Sequence, residues 1–342
     1  MSAHFGLMRR VRHEAALPYV LTAYAKGGTA DPFSPGGETP SSGALWIDLM
    51  NPTADEIRAA EMALGIELPS RQEAEEIETS SRLYADRKTL VMIATVMVRT
   101  TSPQPAMTPI TFAFQKDRLV TMRFDDPTPF ATFPRKLRKS PENYDTAQKM
   151  LLGIIDEIID RAADVLETVG ADLNRISDIV FSEHASGGPR KGADLNAILT
   201  RLGQNGLRAA NTRESMVSLT RLLAFFPEAG RVCNGEVLEE HWRAVGQDIT
   251  SLTDHATFLS NKVNFFLDAT LGRINSEQNM IIKLFSVLAV VFLPPTLIAS
   301  IYGMNFQHMP ELRWVGGYPL SLIIMLAAAI VPYALFKRKG WL

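Results

Sequence analysis

The residues best placed to do chemistry lie in the last 64 positions, Asn279–Leu342, and the chemistry they suit is ion coordination rather than bond-making. Tyr302-Gly303-Met304-Asn305-Phe306 sits between two long apolar runs. Asn305 offers a neutral amide carbonyl, and Gly303 permits a tight turn where a helix ends. Just upstream, Asn279, Ile282, Ser286, Ala289, Leu293, Thr296 and Ser300 recur at alternating steps of three and four. That period puts them on one helical stripe. The stripe holds most of the polar side chains of its segment. A lipid-facing stripe would not collect hydroxyls, whereas one facing another helix or water would. The blander reading is that Ser and Thr bond back to carbonyls of their own helix.

Other candidates are weaker. Glu73, Glu75, Glu76 and Glu78 form an acidic group that reads as a solvated helix face rather than a metal sensor. His241 and His255 are about four helical turns apart, too far to share a metal within one chain. His308, close to Asn305, reads as an ordinary loop histidine, with a softer transition metal as the sharper alternative. The chain has no HExxH, no cysteine pair, no locally spaced Ser-His-Asp set and no phosphate-binding Gly-x-x-x-x-Gly-Lys-Ser/Thr. The expectation is a protein that is not an enzyme, carries no cofactor and has no ATP motor. A net charge of -2 argues against a nucleic-acid partner. The single cysteine, Cys233, rules out an intrachain disulfide framework and fits a reducing compartment.

The elements that must position Asn305 and the stripe are the apolar runs themselves, Leu284–Tyr302 and Tyr318–Phe336, each 19 residues without a charge. At about 1.5 Å per residue each spans roughly 28 Å, the thickness of a bilayer core. The linker 303–317 is too short for a domain, so the runs predict a hairpin with both outer ends on one side. Lys337, Arg338 and Lys339 follow the second run and Lys283 flanks the first, which places that side in the cytoplasm. The N-terminus shows no uninterrupted apolar stretch of the kind a secretory leader needs. Both termini are therefore expected to be cytoplasmic. Mean hydropathy of +0.02 averages a soluble part, 1–280, with this membrane tail.

The soluble part reads as two regions. Residues 1–140 form a mixed α/β domain: a strand at Ala16–Tyr24, a Gly/Pro/Ser-rich loop over 27–43 and a short strand ending at Asn51-Pro52. Thr53 and Glu56 stand at capping-box spacing before a helix over Ala54–Leu64, and Pro69-Ser70 opens a second helix carrying the four glutamates. A strand over Thr89–Arg99 and a hairpin around Gln115–Arg118 complete it. Residues 141–235 turn helical. One long helix covers Asp145–Phe181, and a second covers Asp194–Phe226, stopped by Pro227 and Gly230. A third begins near Glu236. Its apolar seam, Val245, Ile249, Leu252, Ala256, Leu259, Val263 and Phe266, has heptad spacing. That seam packs on the two preceding helices or, on the sharper reading, forms an oligomer stalk. Proline is absent between Pro227 and Pro294, so the third helix is expected to run unbroken over 236–302, with 284–302 as the first span. The outer loop is 303–317, the second span 318–336 and the basic tail 337–342. The fold class is an α+β membrane protein.

Such a hairpin serves as an anchor, as a signalling device or as one subunit of a pore, since two helices are too few to enclose one alone. YGMNF followed by QHMPELRW, GGYP, a second span and FKRKGWL resembles the CorA family of magnesium transporters. The close match covers Asn279 to Leu342; upstream the likeness is one of architecture. The resemblance implies a homopentamer in the bacterial inner membrane, with the first span lining the pore. It makes Gly303, Met304 and Asn305 the outer filter and puts Asn279 at the inner end. Thr296 and Leu293 take pore-facing positions, and Lys337, Arg338 and Lys339 form an inner basic belt. Mg2+ is then the cargo, with cobalt and nickel as further ions. Mg2+ holds six waters and dehydrates reluctantly, so a ring of Asn305 carbonyls would accept hydrogen bonds from those waters without stripping them. In the outer loop Gln307 stands where many members are acidic, which leaves Glu311 and His308 at the mouth. The family's stalk aspartate, a regulatory metal ligand, falls on Ala244, which cannot ligate; Glu239, Glu240 and Asp248 are nearby. The competing readings are a zinc transporter on the same scaffold, against which Met304 weighs, and a membrane-tethered receptor that conducts nothing.

Overall fold

A computed structural model describes residues 20–25, 30–32, 44–76, 78–86, 89–115, 118–181, 194–234, 239–304 and 314–340. The chain divides into two units, Met1–Phe266 and Leu267–Leu342.

The first unit is built on a seven-stranded sheet in the order β2-β1-β3-β7-β6-β5-β4. Its strands are β1 (Val20–Ala25), β2 (Ala30–Pro32), β3 (Ala44–Met50), β4 (Leu83–Asp86), β5 (Thr89–Val98), β6 (Ala106–Gln115) and β7 (Arg118–Arg123). All neighbours pair antiparallel except β3 and β7, which run parallel with Asp48 opposite Thr121. Period-two alternation decides which side chains reach which face. Trp46, Leu90, Met92, Phe112, Phe114 and Leu119 face the long helices, and Ile47, Leu49, Ala113, Val120 and Met122 face a smaller cluster with Ala60 and Leu64. Those two come from α1 (Ala54–Leu64), whose predicted bounds and capping box are both observed: Thr53 Oγ1 accepts from the Glu56 N–H, and Glu56 Oε2 accepts from the Thr53 N–H at 2.7 Å. Gly65 closes that helix at φ 65°, a left-handed conformation that favours glycine.

Two expectations need correction here. The loop over 27–43 contains β2, which pairs with β1 through Thr22–Pro32 to Tyr24–Ala30. The second helix, α2 (Arg71–Glu75), ends before Glu76, which is extended at φ -60°, ψ 146°. Glu76 and Glu78 therefore lie off the helix. All four glutamates are exposed, as the solvated reading requires. A further turn, α3 (Thr79–Arg82), leads into β4.

The long helices cover one face of the sheet. After α4 (Thr128–Lys139) and a 3-10 turn at Pro141–Tyr144 come α5 (Ala147–Phe181), α6 (Leu195–Asn234) and α7 (Glu239–Tyr302). Gly153 lets α5 approach α4: a Cβ there would fall 2.4 Å from the Phe133 ring. Beyond β4, the edge of β5 is completed by α6, where Ser218 Oγ and Ser215 Oγ accept from the Thr95 and Met97 N–H groups at 2.9 and 3.0 Å.

The expected stop of α6 at Phe226 is not observed; the helix passes through Pro227 to Asn234. Proline lacks an N–H, so the bond to the Leu223 carbonyl four residues back cannot form. Trp242 Nε1 of α7 donates to that carbonyl at 2.9 Å instead, and Trp242 itself is buried. The orphaned acceptor is thus satisfied from another helix, and the cost that ends most helices at proline is removed.

The heptad seam of α7 is buried within one chain. Val245, Ile249, Ala256, Leu259, Val263 and Phe266 are each at most 5 % exposed. A Cβ added at Gly170 of α5 would meet Leu259, and one at Gly206 of α6 would meet Val263. Packing on the two preceding helices is therefore what the seam does.

The second unit comprises residues 267–302 of α7 and α8 (Gly317–Arg338). α7 is continuous over 64 residues, roughly 96 Å at about 1.5 Å per residue. Both helices are long and apolar enough to cross a membrane. Their large apolar side chains are exposed, among them Phe285, Phe292, Leu293, Ile323 and Leu326 at 63–67 %. A continuous apolar surface of this extent matches hydrocarbon, not water.

Candidate functional site

Every member of the predicted stripe on α7 is exposed: Asn279, Ile282, Ser286, Ala289, Leu293, Thr296 and Ser300. The partly covered positions of the same helix between Asn279 and Tyr302 are Val287, Val290, Val291, Pro294, Pro295, Ile298 and Tyr302. Of these, Val287 and Val291 share a groove with Ala329, Ile330 and Tyr333 of α8. One face of α7 thus belongs to its own hairpin partner; from Ala289 outward the polar stripe lies on another, while at its inner end Ile282 and Ser286 border a cleft shared with Tyr333 and Phe336 of α8.

Within the stripe two hydroxyls bond back to their own helix. Ser286 Oγ donates to the Ile282 carbonyl at 2.8 Å, and Thr296 Oγ1 donates to the Phe292 carbonyl at 2.7 Å. This is the blander of the two sequence readings, yet it does not remove the stripe's chemistry. Once the hydroxyl proton is committed to the backbone, the oxygen presents only lone pairs outward. Such an oxygen accepts from the waters of a hydrated cation and offers no donor to an anion.

Pro294 and Pro295 lie inside α7, so the ladder bonds to Val290 and Val291 do not form. At the end of the helix the Gly303 N–H donates to the Ala299 carbonyl at 2.9 Å, and the Met304 N–H to Ile301 at 3.3 Å. Gly303 does not adopt a left-handed φ. A Cβ there would sit 3.1 Å from the Ala299 oxygen, so close approach favours glycine at this position. Asn305, Gln307, His308 and Glu311 lie outside the described residues. At the other end of the hairpin, Lys337, Arg338 and Lys339 are exposed at the end of α8, where basic residues complement the helix dipole.

The first unit holds a polar site that the sequence reading missed. Asp48 on β3 and Arg123 on β7 form a buried pair, Nη2 to Oδ2 2.9 Å. Thr121 Oγ1 donates to Asp48 Oδ1 at 2.7 Å and accepts from Trp46 Nε1 at 2.9 Å. Arg123 Nη1 continues to Asp126 Oδ1 at 2.7 Å, and the guanidinium lies 4.8 Å from the centre of the Phe130 ring. Burial alone would lower the Arg123 pKa, but Asp48 and then Asp126 carry it above its ordinary value. The pair bridges β3 and β7, the two strands that run parallel. The signal available in sequence was the alternation break of a charge inside each apolar strand.

Where the resemblance implies a regulatory ligand, Ala244 is exposed on α7 and offers no donor. His241, one turn earlier, meets Asp156 of α5 at 3.2 Å. Burial raises the pKa of Asp156, against the pull of His241. Burial also raises that of Asp160, where Lys136 opposes and Glu157, Asp164 and Asp248 add repulsion. Among the described residues no group of three or more His, Cys, Asp or Glu is arranged to hold a metal.

Comparison with known proteins covers nearly the whole chain. Residues 41–338 match the family model described as CorA-like Mg2+ transporter protein. The magnesium transport protein CorA of Salmonella typhimurium is 35 % identical over 299 residues, covering 87 % of this chain and 92 % of that protein. The protein of the same description from Escherichia coli K12 is 35 % identical over 303 residues, covering 89 % and 93 %. Among solved structures, the CorA magnesium transporter from Methanocaldococcus jannaschii superposes with a TM-score of 0.71 over 95 % of this chain and all of that one. At 17 % identity that likeness bears on the fold: a soluble α/β domain, a long helix and two C-terminal apolar helices.

Proposed function

We propose magnesium transport from one premise: this chain belongs to the CorA-like Mg2+ transporter family. The protein carries Mg2+ inward across the bacterial inner membrane, with its bulk and both termini in the cytoplasm. It works as a homopentamer in which each copy contributes α7 to the pore wall, because two helices per chain enclose nothing. The observation that carries this reading is the exposed stripe on α7, bearing at Ser286 and Thr296 hydroxyl oxygens whose protons are already spent.

Asn305 forms a ring at the outer end, with Gly303 and Met304 holding its loop, and accepts from the waters of the hydrated ion. Neutral carbonyls bind weakly enough to release, which conduction requires. Leu293, Ile282 and Ala289 supply an apolar constriction that excludes water when closed. The membrane potential drives the ion: about 2.3 kcal/mol per charge per 100 mV, hence roughly 4.6 kcal/mol for Mg2+. Co2+ and Ni2+, with similar hydration shells, are further cargo. No bond is made or broken, so the protein is not an enzyme and needs no resident cofactor. The domain division follows the same logic: 1–140 and 141–235 in the cytoplasm, 236–302 as stalk and first span, 303–317 outside, 318–336 as second span and 337–342 as inner tail.

The test is Asn305→Ala in proteoliposomes loaded with a Mg2+ indicator. The variant is expected to lose at least about tenfold in influx, ~1.4 kcal/mol on the barrier, with unchanged assembly. Unchanged influx would reject the assignment of Asn305.

A further inference from the structure

Between α7 and α8 lies a cleft of about 210 Å³. Val287, Val290 and Val291 line it from α7, and Tyr333 and Phe336 from α8. Ile282 and Ser286, both on the polar stripe, form one border, and Lys283 is the single charged residue of the lining. The cleft sits at the end of the hairpin where Lys283 enters and where Lys337 and Arg338 directly follow Phe336. It therefore joins an apolar slot to a cationic mouth.

Among the described residues no acidic side chain pairs with Lys283, Lys337 or Arg338, and all three are exposed. From Gln278 to Leu342 the one acidic side chain is Glu311, in the linker between the two apolar runs. Glu277 is already committed to Arg273 at 3.6 Å. A second copy of this chain, turned about the membrane normal, would bring the same cations to the same depth. Packing copies together gathers more positive charge there and supplies no acidic side chain. The complement must come from the surrounding medium, and the slot beside it takes hydrocarbon.

We infer that the cleft between α7 and α8 is a binding site for an anionic phospholipid, with an acyl chain along Val287, Val290 and Tyr333 and its phosphate among Lys283, Lys337 and Arg338. This rests on reading α7 and α8 as membrane helices. Because Ile282 and Ser286 border both the cleft and the stripe, the bound lipid holds the inner end of the stripe in place.

Native mass spectrometry of the full protein in mild detergent tests the site. The probes are phosphatidylglycerol and phosphatidylcholine with identical acyl chains. Phosphatidylglycerol is expected to stay bound with at least about fivefold preference, the order expected for one basic residue at an anionic surface. Lys283→Gln combined with Lys337→Gln should abolish the preference while leaving chain association unchanged. Val290→Trp, which fills the slot with apolar atoms, should remove retained lipid of both kinds. Equal retention of the two lipids overturns the inference, as does a preference that survives Val290→Trp. A disulfide between copies carrying Ser286→Cys and Tyr333→Cys, with no retained lipid, would show a second copy as occupant and overturn it too. The readout is mass, not flux, so loss of lipid binding and loss of transport are separable results.

Discussion

Asp48 and Arg123 are the only buried charges among the described residues. Their pairing holds together two strands, β3 and β7, that are far apart in sequence and have no hairpin turn to set their register. A buried ion pair is not in itself a source of net stability, but breaking one leaves the other charge stranded. Arg123→Met is therefore expected to cost about 3–5 kcal/mol. At about 2–4 °C per kcal/mol for a unit of this size, melting should fall by roughly 6–20 °C. The double variant with Asp48→Asn should recover much of the loss, because no charge then remains. A thermal melt of the purified protein reads both; equal melting temperatures for wild type and Arg123→Met would contradict the role given to the pair. The sequence displayed both residues without displaying that they meet. Seventy-five positions separate them, and only the parallel register brings Asp48 beside Thr121 and Arg123.

At the scale of the element, local signals were legible and distant compensation was not. Thr53 with Glu56 marked the start of α1 because every partner lies within one turn. Pro227 reads in sequence as the end of α6 because the residue that relieves it, Trp242, belongs to the next helix. The short edge strands β2 and β4 escaped notice for a related reason: their pairing partners, more than their own few residues, define them. The α7 stripe was legible because its period is intrinsic to the helix, although its hydroxyl geometry was not. This stripe can be tested where it is smallest. Ala289→Trp adds bulk at an exposed position that α8 does not cover, so folding should be preserved. Mg2+ influx should drop by more than about tenfold, ~1.4 kcal/mol or more on the barrier. Near-normal influx would move the pore wall to a different face of α7.

For the whole molecule, two units share α7, which contributes residues 239–266 to the first and 267–302 to the second. The first is a soluble unit with a core on each face of its sheet. The second has almost no interior of its own, and Ser321 is the only buried residue of α8. Under the proposed function such a unit is completed by lipid and by further copies of itself. The family was readable from the last 64 residues because the triplet Gly303-Met304-Asn305, the flanking spans and the basic end occur together. The α/β unit contributed architecture alone to that reading, since strand pairing leaves no comparable local motif. In the proposed function this chain lets Mg2+ fall down an electrical gradient. The direct measurement is Mg2+ influx into proteoliposomes at a series of imposed potassium diffusion potentials, without ATP. Influx is expected to rise as the interior is made more negative and to vanish at zero potential with equal Mg2+ on both sides. Influx that ignores the potential, or none at any potential from protein of confirmed assembly, would contradict it.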